Sequence, residues 1–343
     1  MKPRIVQVGL GPLGIKVLED AVNRGVVEIV GAVDVSPSVA GKPLATLLPG
    51  VAPDITVPDI TVQGDLDDID WTRVDVAVVT TSSALDKCAD TFEELLANKV
   101  HIVSSCEELL FPWLRHPELA SELDLAARRA DRVLLGTGVN PGFVMDLLPL
   151  VTTGVCRDVR SIRIERIQDA STRRVPFQKK IGAGLDRAGF DAAVAAGTLR
   201  HVGLGESLHL VAHGLGWKIE NWTETIEPVI ATEALECKLG PIAPGVAAGV
   251  RQVAKGTVRD PNGQEREVLH LEFIAAIGQP EPRDAVLIRG EPDVDLVIRG
   301  GVHGDVATSA LLLHCVFSAR EAPSGLRTVA DVRPPRWARG QQG

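Results

Sequence analysis

The stretch RIVQVGLGPLG, from Arg4 to Gly14, decides the fold of the first part of this chain. Its first five residues have the composition of a short buried strand, and apolar residues recur at helical spacing over Ile15–Asn23. Between these elements, Gly9 permits a sharp turn and Gly11 allows the backbone to approach a pyrophosphate, while Gly14 lets the helix pack closely on the strand. The pattern predicts a dinucleotide-binding turn whose cofactor-binding residues are Gly9, Leu10, Gly11, Pro12, Leu13 and Gly14.

An acidic residue at the end of the next strand strengthens this interpretation. The predicted strand Val27–Val33 is followed by Asp34, twenty positions after Gly14. At this place a carboxylate accepts hydrogen bonds from the adenosine ribose hydroxyls. A glycine turn in some other α/β protein is the alternative, but strand, helix and acid all stand where a dinucleotide fold requires them. Because a carboxylate repels a 2′-phosphate, Asp34 favours NAD, while Ser36 and Lys42 leave some tolerance of NADP.

The composition excludes several classes of protein. With 343 residues, 45% of them hydrophobic, the chain is long enough for two domains, because single cores stop growing near about 250 residues. The net charge of −9 argues against nucleic-acid binding, which needs Lys and Arg gathered on one face. No apolar run approaches the roughly 18 residues of a membrane span, and a strand pattern begins by Arg4. We therefore expect a cytoplasmic protein that binds small molecules and not a membrane.

The cysteines and the lack of tyrosine restrict the chemistry further. Five widely spaced cysteines without a C-x-x-C pair predict neither a disulfide framework nor a zinc knuckle. No set of histidines, cysteines and carboxylates has zinc-ligand spacing, and the acidic run Asp65–Asp70 is interpreted as a solvated linker, so we expect no metal. A sequence with no tyrosine cannot use a Tyr-x-x-x-Lys pair as general acid.

Strands and helices alternate through about the first 136 residues, which predicts an α/β fold with a Rossmann-type doubly wound parallel sheet. Strand patterns recur at Asp75–Thr80, His101–Ser104 and Arg132–Gly136, with helical spacing at Leu85–Leu96 and Glu118–Arg129. In such sheets, ligands bind beyond the carboxyl ends of the strands. The cofactor-binding residues predicted at these ends, besides Asp34 and Ser36, are Thr81, Ser82, Ser83, Ser105, Cys106, Asn140 and Gly142.

After Gly142 the pattern changes to alternating polar and apolar residues, which is typical of an antiparallel sheet with one solvated face. We expect a dinucleotide-binding domain at residues 1–145 and a second α+β domain with a largely antiparallel sheet at residues 146–301, for substrate binding and dimerisation. A C-terminal helix within residues 302–335 is expected to return to the first domain. The strand patterns are Val159–Glu165, Trp217–Val229, Gly249–Val258, Glu267–Ala275 and Val294–Ile298.

Long segments in both halves, from about residue 4 to about residue 335, resemble the 2,4-diaminopentanoate dehydrogenase group and its relatives, the native amine dehydrogenases. These proteins are often labelled dihydrodipicolinate reductase-like from their N-terminal fold. The His-His and Lys pair and the Pro-Ser-Gly-Thr run of true dihydrodipicolinate reductases are missing here, so the lysine-biosynthetic activity is not expected. The matching segments are GLGPLG (9–14), AVD (32–34), SSCEELLFPW (104–113), GTGVNPGFVMD (136–146), RRVPFQKKIGAG (173–184), HVGLGESLHLVAHGLGW (201–217) and GGVHGDVATSALLLH (300–314).

The resemblance implies an oxidoreductase that uses NAD or NADP to interconvert a primary amine with a ketone or aldehyde plus ammonia, commonly as a homodimer held by its second domain. Members of the group place a catalytic glutamate in the segment that matches SSCEEL. In this chain the candidates are Glu107 and Glu108. Reductive amination needs a base that makes ammonia nucleophilic and an acid that helps water leave, and one partly desolvated carboxylate can serve both steps.

The two glutamates can be given different roles. If Ser105 is the N-cap of a helix, Glu108 falls at the third helical position and completes a capping box, which leaves Glu107 for catalysis. The apolar side chains that follow, from Leu109 to Trp113, would supply the desolvated surroundings. The alternative is that both acids only favour the positive end of a helix dipole.

The substrate side of the site is less clearly encoded. Asn140 follows a strand directly and is expected to hydrogen-bond the nicotinamide or the substrate, unless it only forms an Asx turn. The basic segment around Arg173, Arg174 and Lys179 is either a flap near the pocket or a solvated loop. His303 lies on a glycine turn before the last helix. The predicted substrate-binding residues are Phe143, Val144, Met145, Arg173, Gln178, His303 and Thr308.

Two other functions stay open at this point. In an amino-acid or diamino-acid dehydrogenase, a basic pair such as Arg173 and Lys179 would bind a substrate carboxylate. A sensor that binds NAD without turnover is the non-enzymatic alternative.

Overall fold

The computed structural model describes residues 2–173, 175–260 and 262–338, so Arg174 lies outside the described residues. The chain divides into two compact units. The first unit comprises Met1–Phe143 and His303–Gly343, and the second comprises Val144–Val302. The division falls after Phe143, whereas the sequence placed it after Met145, so Val144 and Met145 belong to the second unit.

The sheet of the first unit has six strands, and every neighbouring pair is parallel. The strands form where continuous apolar runs occur, because a parallel sheet covered on both faces buries every side chain of its central strands. The predicted doubly wound parallel sheet is confirmed. Its strands are β1 (Arg4–Val8), β2 (Glu28–Val33), β3 (Val76–Val79), β4 (His101–Ser104), β5 (Val133–Gly136) and the C-terminal β12 (Gly325–Arg327), in the spatial order β12-β5-β4-β3-β1-β2.

In the described part of the chain, four α-helices accompany this sheet. Three of them lie close to the predicted ranges, but the second begins at Ala89, whereas helical spacing predicted a start at Leu85, because residues 80–88 form an irregular segment with turns after β3. Among the described residues, no helix is long and apolar enough to cross a bilayer. The helices are α1 (Pro12–Arg24), α2 (Ala89–Ala97), α3 (Pro117–Ala130) and α8 (Gly304–Glu321).

The register of the first sheet places the last residues of its five N-terminal strands in one row. Val8 of β1 pairs with Val33 of β2 on one side and with Val79 of β3 on the other. Val79 pairs in turn with Ser104 of β4, and Ser104 pairs with Gly136 of β5. The five segments that leave these strands therefore start side by side at one edge of the sheet. The chain order reverses direction between β1 and β3, where doubly wound sheets bind their ligands.

The second unit is built on another six-stranded sheet, in the order β11-β10-β6-β9-β8-β7. Its neighbouring strands are antiparallel except for β6 and β9, which are parallel. The largely antiparallel sheet was predicted, whereas β10 and the helices α4 to α7 were not. The strands are β6 (Asp158–Asp169), β7 (Asn221–Ile230), β8 (Ala247–Arg259), β9 (Glu265–Ala276), β10 (Arg283–Glu291) and β11 (Val294–Arg299), and the helices are α4 (Leu147–Thr153), α5 (Val175–Lys180), α6 (Arg187–Ala195) and α7 (Leu204–Gly214).

Candidate active site

The glycine turn after β1 has the geometry that its sequence predicts. Gly9 adopts φ +88°, in the left-handed region that favours glycine, and its amide donates to the Val33 carbonyl at 2.8 Å. A Cβ on Gly14 would lie 2.0 Å from the Gly9 carbonyl oxygen, so α1 can pack on the turn only through a glycine. Space is open beside Gly11, where a ligand would approach the backbone. The turn therefore offers an open cradle in front of the first turn of α1.

Asp34, at the end of β2, holds the glycine turn in place. One carboxylate oxygen accepts a hydrogen bond from the Leu10 amide at 2.6 Å, and the other accepts from the Ser36 amide at 2.8 Å. The side chain is half-buried. Asp34 thus stands beside the turn, as required of a residue that reads the ribose hydroxyls, and it has a structural role as well.

Gln7 was not singled out from the sequence. Its side chain is fully buried within β1, and its amide nitrogen donates to Thr80 Oγ1 at 2.8 Å and to the Gly9 carbonyl at 3.0 Å. Thr80 Oγ1 also donates to the Gly9 carbonyl, at 2.9 Å. A polar residue inside an apolar strand was the available signal, since buried polar groups need partners.

The segment after β3 lies against the same turn. A Cβ on Gly9 would be 2.9 Å from the methyl group of Thr81, so Thr81 packs directly on the glycine. The Ser82 hydroxyl accepts from the Ala84 amide at 3.2 Å, while the Ser83 carbonyl accepts from the amide of Glu108 at 3.2 Å. The predicted Thr81, Ser82 and Ser83 therefore connect the glycine turn with the segment that carries the two glutamates.

The capping box predicted at Ser105 is wrong. The residues after β4 form a four-residue 3₁₀ turn, Glu107–Leu110, and the Ser105 amide donates to the Val79 carbonyl at 3.0 Å. The carboxylate of Glu108 instead accepts from the Leu85 amide at 2.9 Å and from His116 Nε2 at 3.1 Å. The hydrogen-bonding partners of Glu108 come from elsewhere in the fold, so the local sequence pattern did not identify them.

Glu107 occupies the first position of this 3₁₀ turn, and its side chain is half-buried. Of the apolar residues that follow, Leu109 and Leu110 are almost fully buried. Phe111 and Trp113 pack edge to face, with ring centroids 5.3 Å apart. The turn therefore stands on an apolar base at the carboxyl end of β4.

Two cysteine thiols lie behind this segment. Cys106 is buried and donates to the Ser83 carbonyl at 3.3 Å, and Cys88 is also buried and donates to the Ser82 carbonyl at 3.6 Å. The interaction between the two thiols lowers the pKa of Cys88 and, together with burial, raises that of Cys106. All five cysteines are described and none forms a disulfide.

The segment after β5 carries Asn140. Both polar atoms of its side-chain amide are buried, and neither has a hydrogen-bond partner among the described residues. The Asn140–Pro141 peptide bond is cis, and Gly142 adopts φ +129°. A Cβ on Gly142 would lie 2.3 Å from the Gly138 amide nitrogen, so the turn closes tightly on itself. A buried amide with an unused donor and an unused acceptor fits a ligand such as a carboxamide, which offers one of each.

Two predicted substrate residues of the first unit make contacts within it. Thr308 Oγ1, on α8, accepts from the Val139 amide at 3.2 Å, so Thr308 holds the segment that carries Asn140. His303 is exposed and caps the start of α8, where its Nδ1 accepts from the Val306 amide at 3.5 Å. Phe143, the last residue before the second unit, is partly exposed.

The predicted substrate residues of the second unit are largely occupied within it. Val144 and Met145 are almost fully buried. The Arg173 guanidinium lies 4.4 Å from the centre of the Phe177 ring. Gln178 is fully buried, and its amide donates to the carbonyls of Ala170 and Ser171 and accepts from the amide of Leu239. These three bonds give Gln178 a structural role, and its contact with substrate stays a prediction.

Three exposed acidic side chains lie close together in the first unit. Among the described residues, Asp65, Asp67 and Glu94 bring carboxylate oxygens within 4.8 Å of one another, and all three are exposed. Burial and the neighbouring carboxylates of Asp67 and Asp65 raise the pKa of Glu94. Exposed acidic groups of this kind are common without a bound ion.

Comparison with known proteins agrees with this geometry. The 2,4-diaminopentanoate dehydrogenase of Acetoanaerobium sticklandii is 31% identical over 348 residues, an alignment that covers 98% of this chain and 94% of the relative. The profile of the 2,4-diaminopentanoate dehydrogenase C-terminal domain matches residues 143–342. The chain belongs to the 2,4-diaminopentanoate dehydrogenase family. The predicted reaction class, an NAD(P)-dependent oxidoreductase acting on amines, is confirmed with it.

Other relatives of this 2,4-diaminopentanoate dehydrogenase family member extend the comparison. An amine dehydrogenase of Streptomyces virginiae is 23% identical over 254 residues, which cover 68% of this chain and 70% of that protein. The solved structure of an amine dehydrogenase from Mycobacterium smegmatis superposes with a TM-score of 0.81, at 24% identity and 98% coverage of both chains. The fold predicted from the sequence is therefore also that of a solved amine dehydrogenase.

Proposed function

We propose that this protein is an amine dehydrogenase that uses NAD in preference to NADP and interconverts a primary amine with a ketone or aldehyde plus ammonia. The observation that carries the proposal is the row of strand ends in the first sheet. Val33, Val8, Val79, Ser104 and Gly136 lie side by side, and the segments that follow them contain the predicted cofactor residues and both candidate glutamates.

The residues at this edge fit a nicotinamide dinucleotide. The open space beside Gly11 would admit the pyrophosphate, and the half-buried carboxylate of Asp34 would accept from the adenosine ribose. The buried, unpartnered amide of Asn140 would hydrogen-bond the carboxamide of the nicotinamide or the substrate. When bound, the dinucleotide supplies or accepts the hydride.

Glu107 is proposed to move the protons. As a carboxylate it takes a proton from ammonium, so that neutral ammonia can attack the carbonyl carbon of the substrate. As a carboxylic acid it then gives a proton to the hydroxyl group of the carbinolamine, which leaves as water. Each proton that Glu107 accepts is thereby returned, and the residue ends the cycle in its starting state. The buried apolar residues that follow in the same turn, Leu109 and Leu110, support this role, because they give the turn a partly desolvated base.

A screen of carbonyl compounds tests the proposal. NADH oxidation is measured with and without ammonium for aldehydes, ketones, amino ketones and keto acids, with NADPH in parallel. Ammonia-dependent oxidation of NADH with at least one simple ketone or aldehyde supports an amine dehydrogenase. If NADH binds but no carbonyl compound is turned over, the NAD-binding sensor becomes the better description.

A diamino-acid dehydrogenase is the second candidate, because the relative at 31% identity is named for 2,4-diaminopentanoate, a substrate with a carboxylate. The guanidinium group of Arg173, in the second unit, is of the type that binds carboxylates. In the same screen, turnover of amino keto acids with none of the matched ketones would favour this candidate.

We further propose a homodimer in the cytoplasm. The resemblance to the family supports the dimer, and the five unpaired cysteines fit a reducing compartment. Light scattering at defined protein concentration would measure the oligomeric state.

A further inference from the structure

We propose that Glu108 is the positioning residue of the site, which fixes the 3₁₀ turn that carries Glu107 and does not itself transfer protons. His116 assists it by donating to the same carboxylate oxygen. The inference rests on the proposed function and assigns different tasks to the two adjacent glutamates.

One oxygen of Glu108 carries both contacts. Oε2 accepts from the Leu85 amide at 2.9 Å and from His116 Nε2 at 3.1 Å. The Glu108 side chain is 14% exposed, so these bonds are largely shielded from water. Leu85 belongs to the segment after β3, whereas His116 immediately precedes α3. A single carboxylate oxygen therefore ties together two segments that lie 23 and 8 residues away along the chain.

The backbone of the turn is attached to the same segment. The Glu108 amide donates to the Ser83 carbonyl at 3.2 Å, in addition to the bond that its side chain accepts from Leu85. On the other side of Glu107, the Ser105 amide donates to the Val79 carbonyl at 3.0 Å. Glu107 is thus flanked on both sides by residues whose backbone is bonded to β3 or to the segment that follows it.

Close packing below the turn leaves it little room to move. A Cβ on Gly136 would lie 2.9 Å from the carbonyl carbon of Leu109 and 3.0 Å from the Leu110 amide nitrogen. This packing blocks movement towards Gly136, so we expect loss of the Glu108 contacts to let the turn shift away from it. A displacement of about 1 Å at a catalytic group can cost about a hundredfold in rate.

Substitution by glutamine separates positioning from proton transfer. The carbonyl oxygen of a glutamine at position 108 can take the place of Oε2 and accept from both Leu85 and His116, but an amide cannot act as acid or base. We therefore expect Glu108→Gln to keep kcat within about fivefold of the parent and Glu108→Ala to lower it about 10–100-fold. At position 107, glutamine and alanine should be equally damaging, with losses of about 10²–10⁴-fold.

The four variants are measured with the full chain, using NADH, ammonium and a carbonyl substrate found in the screen. NADH affinity, from nucleotide fluorescence, is expected to stay within a few fold in each. Glu108→Gln as inactive as Glu108→Ala would overturn the proposal and assign proton transfer to Glu108. Full activity in both variants at position 108 would also overturn it, because the contacts would then be dispensable.

A measurement without turnover keeps the two proposals apart. Hydrogen exchange of the Leu85 amide should be at least about tenfold faster in Glu108→Ala than in the parent, and nearly unchanged in Glu108→Gln. If no carbonyl compound is aminated, the proposed function fails, and the exchange rates still decide whether Glu108 holds the turn. Should Glu108→Ala not fold, His116→Ala, which removes one of the two contacts, replaces it, and an unchanged Leu85 exchange rate would count against the proposal.

Discussion

The two sheets of this protein distribute their polar groups in opposite ways. In the first unit, β3 and β5 are buried along their whole length, and polar side chains gather at the carboxyl ends. In the second unit, residues alternate between half-buried and exposed along β7 and β11. A parallel sheet covered on both faces leaves only its ends for chemistry, whereas a sheet with an accessible face can carry charges along its strands.

The charged side chains on the second sheet form ion pairs with one another. Glu165 and Glu272 are register partners on β6 and β9, and their side chains are only 9% and 7% exposed. Arg163 donates to both, Arg283 donates to Glu165 at 2.8 Å, and Arg251 donates to Glu272 at 2.7 Å. Burial alone would raise the pKa of Glu165, but the hydrogen bonds from Arg163 and Arg283 lower it below its ordinary value. The hydrogen bonds from the two arginines therefore favour the charged form of Glu165.

The sharpest test of this contrast is to remove one carboxylate from each unit. We expect Glu107→Ala to lower the rate of amination about 10²–10⁴-fold while NADH affinity stays within a few fold, because the proposed proton carrier is lost. As the matched control, Glu227→Gln removes a charge from β7, where the side chain is 61% exposed, and should keep kcat within about twofold. Retained turnover in Glu107→Ala would move the role to Glu108 or to a water molecule.

A second comparison concerns burial of charge within the second unit. Arg166 and Asp284 form an ion pair at 2.8 Å with only 3% and 2% of their side chains exposed. Asp284→Ala leaves the guanidinium buried without its partner and should lower the free energy of unfolding by about 3–5 kcal/mol, measured by urea denaturation. The exposed pair Arg187–Asp191 is the control, and Asp191→Ala should change stability little. Equal losses in the two variants would mean that burial does not set the cost.

The relative affinities for NAD and NADP test whether Asp34, at the end of β2, contacts the cofactor. Asp34→Ala should weaken binding of NAD more than binding of NADP, shifting the ratio of their dissociation constants by roughly tenfold, about 1.4 kcal/mol. Because Asp34 also holds the Leu10 amide, both affinities should fall. Asp34→Asn keeps an acceptor without the charge and separates the two effects. An unchanged ratio in both variants would show that the ribose is held elsewhere.

The smallest expected effect is a loss of thermal stability at acid pH, caused by two histidines of the first unit. Burial lowers the pKa of His101 and His314 from 6.5 to about 4 in each case. The unfolded chain therefore takes up protons before the folded protein does, so stability is complete above pH 6.5 and falls as the pH decreases to about 4. We expect Tm to drop by a few degrees between pH 6.5 and pH 4.5. His101→Asn can retain an acceptor for the Val133 amide, and this variant should flatten the slope; an identical slope would contradict the assignment.

Local patterns predicted much of the first unit and less of the second. Strands β1 and β4 have the predicted bounds because continuous apolar runs identify buried parallel strands without further information. Strand β10 and the helices α4 to α7 were not predicted. Helix α5 spans only six residues, Val175–Lys180, too short for a helical period to stand out.

For the residues of the candidate site, too, local patterns predicted some positions and missed others. Asp34 lies beside the glycine turn, as the spacing of glycines and acid predicted, and its bonds to a ribose stay a prediction. The partners of Glu108 were wrongly predicted, and Gln178 proved to be occupied by three bonds within the second unit. Side-chain partners from distant segments are not encoded in the neighbouring residues.

The sequence by itself determined the strand, glycine turn and helix at the start of the chain, since glycine conformations and apolar spacing act within about thirty residues. Only the tertiary structure decided that Ser104 and Gly136 end in the same row as Val8. It also decided which of two adjacent glutamates is held by Leu85 and His116. The physical reason is that a hydrogen bond depends on the distance between two groups in space, and only folding brings distant segments within that reach.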